Sequence, residues 1–268
     1  MKNFIVIGNP IEHSLSPDLH NWIFKKLKIN AIYNKILCNE IDIISQIKND
    51  KINGINVTLP FKETIINFVD EINLRVKSIG SVNCIVKNKN KLIGYNTDWY
   101  GFSKLINNNK VDIQNKEVIV IGAGGVSRAV IFSLIQMRVK KIKIFNRSII
   151  KAKKLENNII KSFHLDEIND SIKDDSIIIN CTSIGMINND MPILDKLISA
   201  NQTIIDTIYN PYKTELLKLA QSKGAKIVNG MDMFIYQAIA SLELWLNDSI
   251  GDKLDYQELR KYLKEILC

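Results

Sequence analysis

The chain is poor in the residues that staple small secreted folds or hold metals. Its 268 residues include four cysteines, Cys38, Cys84, Cys181 and Cys268, and three histidines, His13, His20 and His164. The cysteines are scattered, with no Cys-x-x-Cys pair. A disulfide framework and a zinc site are therefore not expected, and a reducing cytoplasm is. The histidines are too few and too dispersed to build a metal cluster. No stretch comes near the roughly 20 apolar residues that span a bilayer, so no membrane partner is expected. The opening run Phe4-Ile5-Val6-Ile7 stops at Gly8-Asn9-Pro10 and reads as a strand, not a secretory signal. Acid is also in deficit, for the net charge is +8. That balance raises the question of nucleic acid. The lysines, however, are spread evenly among many Asn and Ile and form no basic stripe, so no nucleic-acid partner is expected.

What is present is a soluble composition, 46% hydrophobic and 24% charged, with length enough for one large core or two moderate ones. Strand-like and helix-like segments alternate. Phe4–Ile7, Ile32–Leu37 and Ile52–Thr58 read as strands. Ser16-Pro17-Asp18 opens a helix, with Ser16 as N-cap and Pro17 at the first helical position, and Leu19, Trp22, Ile23 and Leu27 share one face. Further helices are expected over Ile41–Ile47 and Lys62–Phe68. Ser81–Val86 and Leu92–Tyr95 flank Asn88-Lys89-Asn90 as a hairpin, so this half reads as an α/β unit closing on an antiparallel edge. The polar run Asn107-Asn108-Asn109-Lys110 reads as a domain junction. After it the alternation restarts. Strands are expected at Val118–Ile121, Lys141–Phe145, Ile177–Ile179, Ile204–Asp206 and Lys226–Val228, with helices at Val126–Met137 and Ile149–Leu155. That pattern predicts a parallel sheet wound on both faces by helices. Phe234–Leu246 and Tyr256–Leu267 read as terminal helices.

Gly122-Ala123-Gly124-Gly125-Val126-Ser127 lies between a strand and a helix. Glycines there allow a tight turn and bring backbone N–H groups to a pyrophosphate, at the favourable end of the helix dipole. Ser127 stands where the third glycine of the dinucleotide fingerprint would be. After the second strand, an NAD site wants an acid for the ribose 2′-hydroxyl. The chain instead reads Asn146-Arg147-Ser148, with Lys151 a turn further. Two cations suit a 2′-phosphate, which predicts NADP(H) as the cofactor.

Transfer of hydride to a ketone leaves an alkoxide that must receive a proton. The residue inventory leaves no zinc to stabilise it. Tyr-x-x-x-Lys occurs at Tyr209/Lys213 and Tyr100/Lys104, but Pro211 interrupts the first and the second precedes the glycine loop. A lysine with a carboxylate is the remaining solution. Asn56-Val57-Thr58-Leu59-Pro60-Phe61-Lys62 and Gly94-Tyr95-Asn96-Thr97-Asp98 each follow a strand, and strand ends line the ligand crevice of open α/β sheets. Alone, Lys62 reads as a solvated lysine and Asp98 as a cap for the helix near Gly101.

At these residues the chain resembles the shikimate dehydrogenase family. The resemblance runs through Gly8-Asn9-Pro10, Ser14-Leu15-Ser16-Pro17, His20-Asn21, Asn56-Val57-Thr58-x-Pro60-x-Lys62, Gly80-Ser81-Val82-Asn83 and Asn96-Thr97-Asp98. It continues through Gly122–Ala129, Asn146-Arg147-Ser148, Asn180-Cys181-Thr182-Ser183-x-Gly185-Met186, Asp206-x-x-Tyr209-Asn210-Pro211, Gly230-Met231 and Gln237. It implies reduction of 3-dehydroshikimate to shikimate with NADPH, in aromatic amino-acid biosynthesis. By the same match Lys62 and Asp98 are the catalytic pair, with Asp98 also touching substrate. Ser14 and Ser16 bind the substrate carboxylate, and Thr58, Asn83, Tyr209 and Gln237 its hydroxyls. Gly122, Ala123, Gly124, Gly125 and Val126, with Asn146, Arg147, Ser148 and Lys151, hold the cofactor, and Thr207 and Gly230 lie near the nicotinamide. Leu74, Ser81, Cys84 and Lys151 depart from the commoner family residues.

The expected architecture is an N-terminal α/β substrate domain with a mixed sheet over residues 1–101, a doubly wound Rossmann-like NADP domain over 102–237, and C-terminal helices over 238–268 returning to the first domain so that Gln237 reaches substrate. A cleft between the domains is expected to hold the site and to open and close. A monomer or homodimer is expected. The competing readings are a quinate/shikimate dehydrogenase with relaxed cofactor use and a non-catalytic NADPH-binding protein.

Overall fold

Phe4, Ile5, Val6 and Ile7 are buried without alternation, as in a strand covered on both faces. They form the middle of β1 (Lys2–Gly8). The computed structural model in which they lie describes residues 1–40 and 42–267. Ile41, with which the expected second helix opens, and Cys268 lie outside the described residues. After β1 come α1 (Ser16–Lys26), β2 (Ala31–Leu37), α2 (Ile43–Ile47) and β3 (Gly54–Val57). A 3₁₀ turn over Thr64–Phe68 then precedes β4 (Glu71–Ile72), α3 (Leu74–Ile79), β5 (Cys84–Asn88), β6 (Lys91–Tyr95) and α4 (Asp98–Asn108).

The first sheet has the order β2-β1-β3-β5-β6-β4. β2, β1 and β3 are parallel, while β5 runs antiparallel to both β3 and β6. The antiparallel strand is therefore internal, contrary to the edge position expected. Two-residue β4 pairs parallel to β6 and forms the edge instead; a strand so short leaves no readable period. Ile5, Ile7, Ile55, Val57 and Ile85 meet Ile43, Ile47, Ile65 and Val76 in one core. The N-cap of α1 is Leu15, and Ser16 is already helical. The Ser14 hydroxyl instead accepts the Ser16 N–H at 3.3 Å, so Ser14 supplies the side-chain bond expected of Ser16.

Residues 1–101 and 235–266 form one compact unit and residues 102–234 another, the division falling within α4 and within α8 (Met231–Leu246). The run Asn107–Lys110 is thus the end of a helix inside the second unit and not a junction. Its polarity reflects a helix terminus, where backbone carbonyls lack intrahelical partners.

The second unit contains β7 (Glu117–Ile121), α5 (Gly125–Gln136), β8 (Lys141–Asn146), α6 (Ile149–Lys153), β9 (Ile160–His164), β10 (Ile177–Asn180), β11 (Thr203–Asp206), α7 (Glu215–Ser222) and β12 (Lys226–Val228). Its sheet has the order β12-β11-β10-β7-β8-β9, every pair parallel. Strand order reverses between β7 and β10, the position at which open α/β sheets bind ligands. Val118 and Val120 pack with Val130 and Leu134 on one face. Ile119 and Ile121 pack with Leu216 and Leu217 on the other. α8 and α9 (Tyr256–Leu267) close the chain. Among the described residues no helix is long and apolar enough to cross a membrane.

Trp245 of α8 donates its indole N–H to Ile85 O at 2.9 Å and stacks on Phe4, ring centroids 4.9 Å apart. His20 lies in the same aromatic cluster, stacked on Tyr33 at 4.0 Å. It is fully buried, and neither ring nitrogen makes a hydrogen bond among the described residues. Burial lowers its pKa from the ordinary 6.5 to about 3. Between those values the unfolded chain binds the proton and the folded chain does not. The stabilisation is therefore complete above pH 6.5 and falls with acid by about 1.4 kcal/mol per pH unit. Urea unfolding of wild type and His20→Phe at pH 7 and pH 4.5 checks this. The variant should lose about 2 to 3 kcal/mol less than wild type on acidification; equal losses would show that His20 is not the group responsible.

Candidate active site

The loop after β3 turns on itself, Phe61 N–H donating to Thr58 O at 3.0 Å and Thr58 N–H to Ile7 O at 3.0 Å. It is tied to the loop after β1 through Asn9 N–H and Leu59 O at 2.9 Å. Ser14, Ser16, Thr58 and Lys62 therefore all follow the carboxyl ends of two adjacent parallel strands.

Beside them β6 leads into α4. Asn96 Oδ1 accepts the N–H groups of Asp98 at 3.0 Å and Trp99 at 3.4 Å. Its amide donates to Ser81 O at 2.9 Å and Ser81 Oγ at 3.0 Å. Asn96, and not Asp98, thus caps the helix, and the Asp98 carboxylate is left for other partners. One is Lys62, whose Nζ lies 2.6 Å from Asp98 Oδ2, with side chains only 12% and 5% exposed. Charges so buried persist only when paired and hydrogen-bonded. The first turn of α4 adds a dipole that favours the anion.

Asn83 supplies the other partner, its Nδ2 donating to Asp98 Oδ1 at 2.9 Å. The same amide donates to Thr97 Oγ1 at 2.9 Å and reaches Gln237 Oε1 at 3.3 Å. Asn83 Oδ1 accepts Thr97 N–H at 2.6 Å. Lys62, Asp98, Asn83 and Gln237, spread from β3 to α8 along the chain, therefore form one hydrogen-bonded group in the first unit. Behind it lie Asn56, Tyr33 and Ser241, which local sequence reasoning did not single out as site residues. Cys84 is buried beside Ser241 and Trp245, and burial pushes its thiol up to about 12, so it adds no charge. Ser14, Ser16 and Thr58 lie in the same unit.

Tyr209 lies in the second unit, stacked on Phe234 at 4.0 Å. Lys213 donates to Gln221 Oε1 at 2.8 Å. In the same unit the turn after β7 is shaped by Gly122, at φ +109°. A Cβ there would stand 3.1 Å from Ser127 Oγ and 3.2 Å from Cys181 O. Ser127, in place of the third glycine, is fully buried behind the turn. Gly124, the N-cap of α5, offers no side-chain cap, and open space surrounds the position of its missing Cβ. The positive end of the α5 dipole thus lies beside an open position, which suits an anion.

At the end of β8, Asn146 Nδ2 donates to Ser148 O at 2.9 Å and holds the turn. Arg147, Ser148 and Lys151 are exposed. The side chains of Arg147 and Lys151 make no hydrogen bond or ion pair among the described residues, so both cations are available to an anion. At the end of β11, Thr207 Oγ1 donates to Asn180 O at 3.0 Å. A Cβ on Gly230 would lie 2.2 Å from Thr207 O, so only glycine allows this approach. The buried Asp206 accepts from Asn180 Nδ2 at 3.1 Å, Ile208 N–H at 3.0 Å and Thr214 Oγ1 at 2.7 Å. Burial nevertheless pushes its carboxyl up to about 6.

The two units answer to two family models. Residues 6–85 match the shikimate dehydrogenase substrate binding domain, and residues 104–206 match shikimate / quinate 5-dehydrogenase. The chain is 43% identical over 253 residues to a shikimate dehydrogenase (NADP(+)) of Pelagibacter ubique, covering 91% of this chain and 93% of that one. Its fold is similar to the crystal structure of shikimate dehydrogenase from Aquifex aeolicus, with TM-score 0.87 and 33% identity over 98% of each chain. It is also similar to the Thermus thermophilus enzyme in complex with NADP(H) and shikimate, with TM-score 0.86 and 25% identity over 99% of each chain. Two models in chain order and a relative matched nearly end to end leave one assignment: the chain belongs to the shikimate dehydrogenase family.

Proposed function

We propose that this chain catalyses the reversible NADP-dependent interconversion of shikimate and 3-dehydroshikimate, a step of aromatic amino-acid biosynthesis. The observation that carries the reading is the buried Lys62–Asp98 pair, 2.6 Å apart and held by Asn83. Oxidation of a secondary alcohol removes a hydride from carbon and a proton from oxygen. The bound nicotinamide supplies the hydride chemistry. The Lys62–Asp98 pair takes up the hydroxyl proton in oxidation and returns it in reduction. Asn83, Thr58 and Gln237 offer the short polar groups that a polyhydroxylated ring requires, the hydroxyls of Ser14 and Ser16 suit its carboxylate, and the family resemblance adds Tyr209. The second unit would hold the cofactor, with Gly122–Val126 at the pyrophosphate, Asn146, Arg147, Ser148 and Lys151 at the 2′-phosphate, and Thr207 and Gly230 near the nicotinamide. On this reading residues 1–101 with 238–268 form the substrate domain and 102–237 the NADP domain, in a cytoplasmic monomer or homodimer.

Reduced-nicotinamide absorbance tests the reading. Shikimate with NADP+ should give turnover, while NAD+ in its place, or quinate in place of shikimate, should give a much lower kcat/KM. Equal use of NAD+ would overturn the cofactor assignment, and preference for quinate the substrate assignment.

A further inference from the structure

Ser241 lies on α8, four residues beyond Gln237, and is completely buried. Its hydroxyl is where three hydrogen bonds meet. It donates to Gln237 O at 3.0 Å. Asn56 Nδ2 donates to it at 3.0 Å. Thr97 Oγ1 lies 3.1 Å away. A hydroxyl has one proton and two acceptor sites. With the proton committed to the Gln237 carbonyl, Ser241 accepts from both Asn56 and Thr97.

This fixes the direction of the bonds that follow. The Thr97 hydroxyl proton points to Ser241, so Thr97 Oγ1 must accept on its other side, and Asn83 Nδ2 donates to it at 2.9 Å. The competing bond, from the Thr97 hydroxyl to Asn83 Oδ1, is longer at 3.3 Å. The Thr97 backbone N–H, donating to Asn83 Oδ1 at 2.6 Å, and the Thr97 hydroxyl, accepting from Nδ2, together hold the amide nitrogen toward Asp98 Oδ1 and Gln237 Oε1. Turned over, the amide would set an oxygen against the Asp98 carboxylate. Asn56 is fixed in turn, because Tyr33 OH donates to its Oδ1 at 2.7 Å and its Nδ2 also donates to Asn83 O at 2.9 Å. Ser241 is thus the acceptor that orients two chains of donors around Asn83.

We propose that Ser241 is a positioning residue of the active site, whose hydroxyl sets the orientation of the Thr97 hydroxyl and through it secures the bond from the Asn83 amide that holds Asp98. The inference rests on the proposed reaction at Lys62 and Asp98. Remove the hydroxyl, and the Thr97 proton is free to turn to Asn83 Oδ1, 3.3 Å away, which weakens the bond that Thr97 Oγ1 accepts from the Asn83 amide, while an Asn56 N–H loses its acceptor.

The test compares four proteins, wild type, Ser241→Ala, Ser241→Thr and Ser241→Val, in shikimate oxidation with NADP+. Thr and Val have nearly the same shape and differ in the hydroxyl. The Ala and Val variants should lose about tenfold in kcat, as expected for one well-made hydrogen bond, with KM for NADP+ unchanged. Thr should stay near wild type. A loss shared equally by Ala, Thr and Val would trace to packing and overturn the proposal, as would an unchanged Ala variant. If wild type itself does not oxidise shikimate, the proposed reaction fails and the side-chain amide of Asn83 becomes the readout. Its hydrogens should exchange faster with solvent in Ser241→Ala than in wild type, and equal exchange overturns the role of Ser241.

Discussion

Lys62→Ala should lower kcat for shikimate oxidation by about two to four orders of magnitude, the range that positioned proton transfer contributes, while NADP+ still binds. The size follows from burial. Lys62 Nζ meets Asp98 Oδ2 at 2.6 Å with little of either side chain exposed. Truncation therefore removes the proposed proton-transfer group and also leaves the Asp98 carboxylate with Asn83 as its remaining side-chain partner among the described residues. An uncompensated buried charge is costly, so the variant should also melt earlier. Binding of NADP+, followed by titration without shikimate, separates the two effects, because the proposed cofactor contacts lie in the second unit. Partial recovery of the rate on adding a small primary amine would show that the missing group is the ammonium. An unchanged rate would remove Lys62 from the mechanism.

Much of this arrangement is legible before the fold is known, and unevenly so. The buried strands β7, β8 and β10 are short apolar runs between turn signals, and the glycine loop sits where strand, turn and helix demand it. By contrast β4 has two residues, and α3 buries only Val76 and Ile79. β9 and α7 are likewise not legible in the sequence. α7 is capped by the Thr214 side chain, which accepts Leu217 N–H, but it is only eight residues long. The contact between Lys62 and Asp98 lies beyond any local period, since 36 positions separate them. Resemblance to the family implies it; periodicity does not. Ser241 shows the limit most clearly. A serine within the apolar run of α8 reads as a small packing residue. Its partners Asn56 and Thr97 come from distant loops, and only tertiary structure shows that its hydroxyl directs their hydrogen bonds. The α1 cap failed for a local reason: Ser14 and Ser16 are both competent, and the backbone chose a start one residue earlier than the Ser-Pro pattern indicates.

Arg147→Ala should raise the Kd for NADP(H) by about ten- to a hundredfold, the effect of losing a charge-assisted hydrogen bond to phosphate, and leave the Kd for NAD(H) nearly unchanged. Arg147 is exposed at the end of β8, where the fold carries the residue that distinguishes the two cofactors. No acid stands there, and Asn146 holds the turn through its bond to Ser148 O. Alanine should therefore remove the guanidinium without moving the loop. If the partner is, as proposed, an exposed phosphate, the loss of NADP(H) affinity should shrink as salt is raised. Lys151, one turn along on α6, keeps part of the positive field, so NADP(H) should remain the tighter ligand in the single variant. Fluorescence titration with both reduced cofactors at low and high salt reads all three expectations. Equal weakening of NADPH and NADH would place Arg147 at the shared pyrophosphate instead of the 2′-phosphate, and the basis for cofactor choice would have to be sought elsewhere in the second unit.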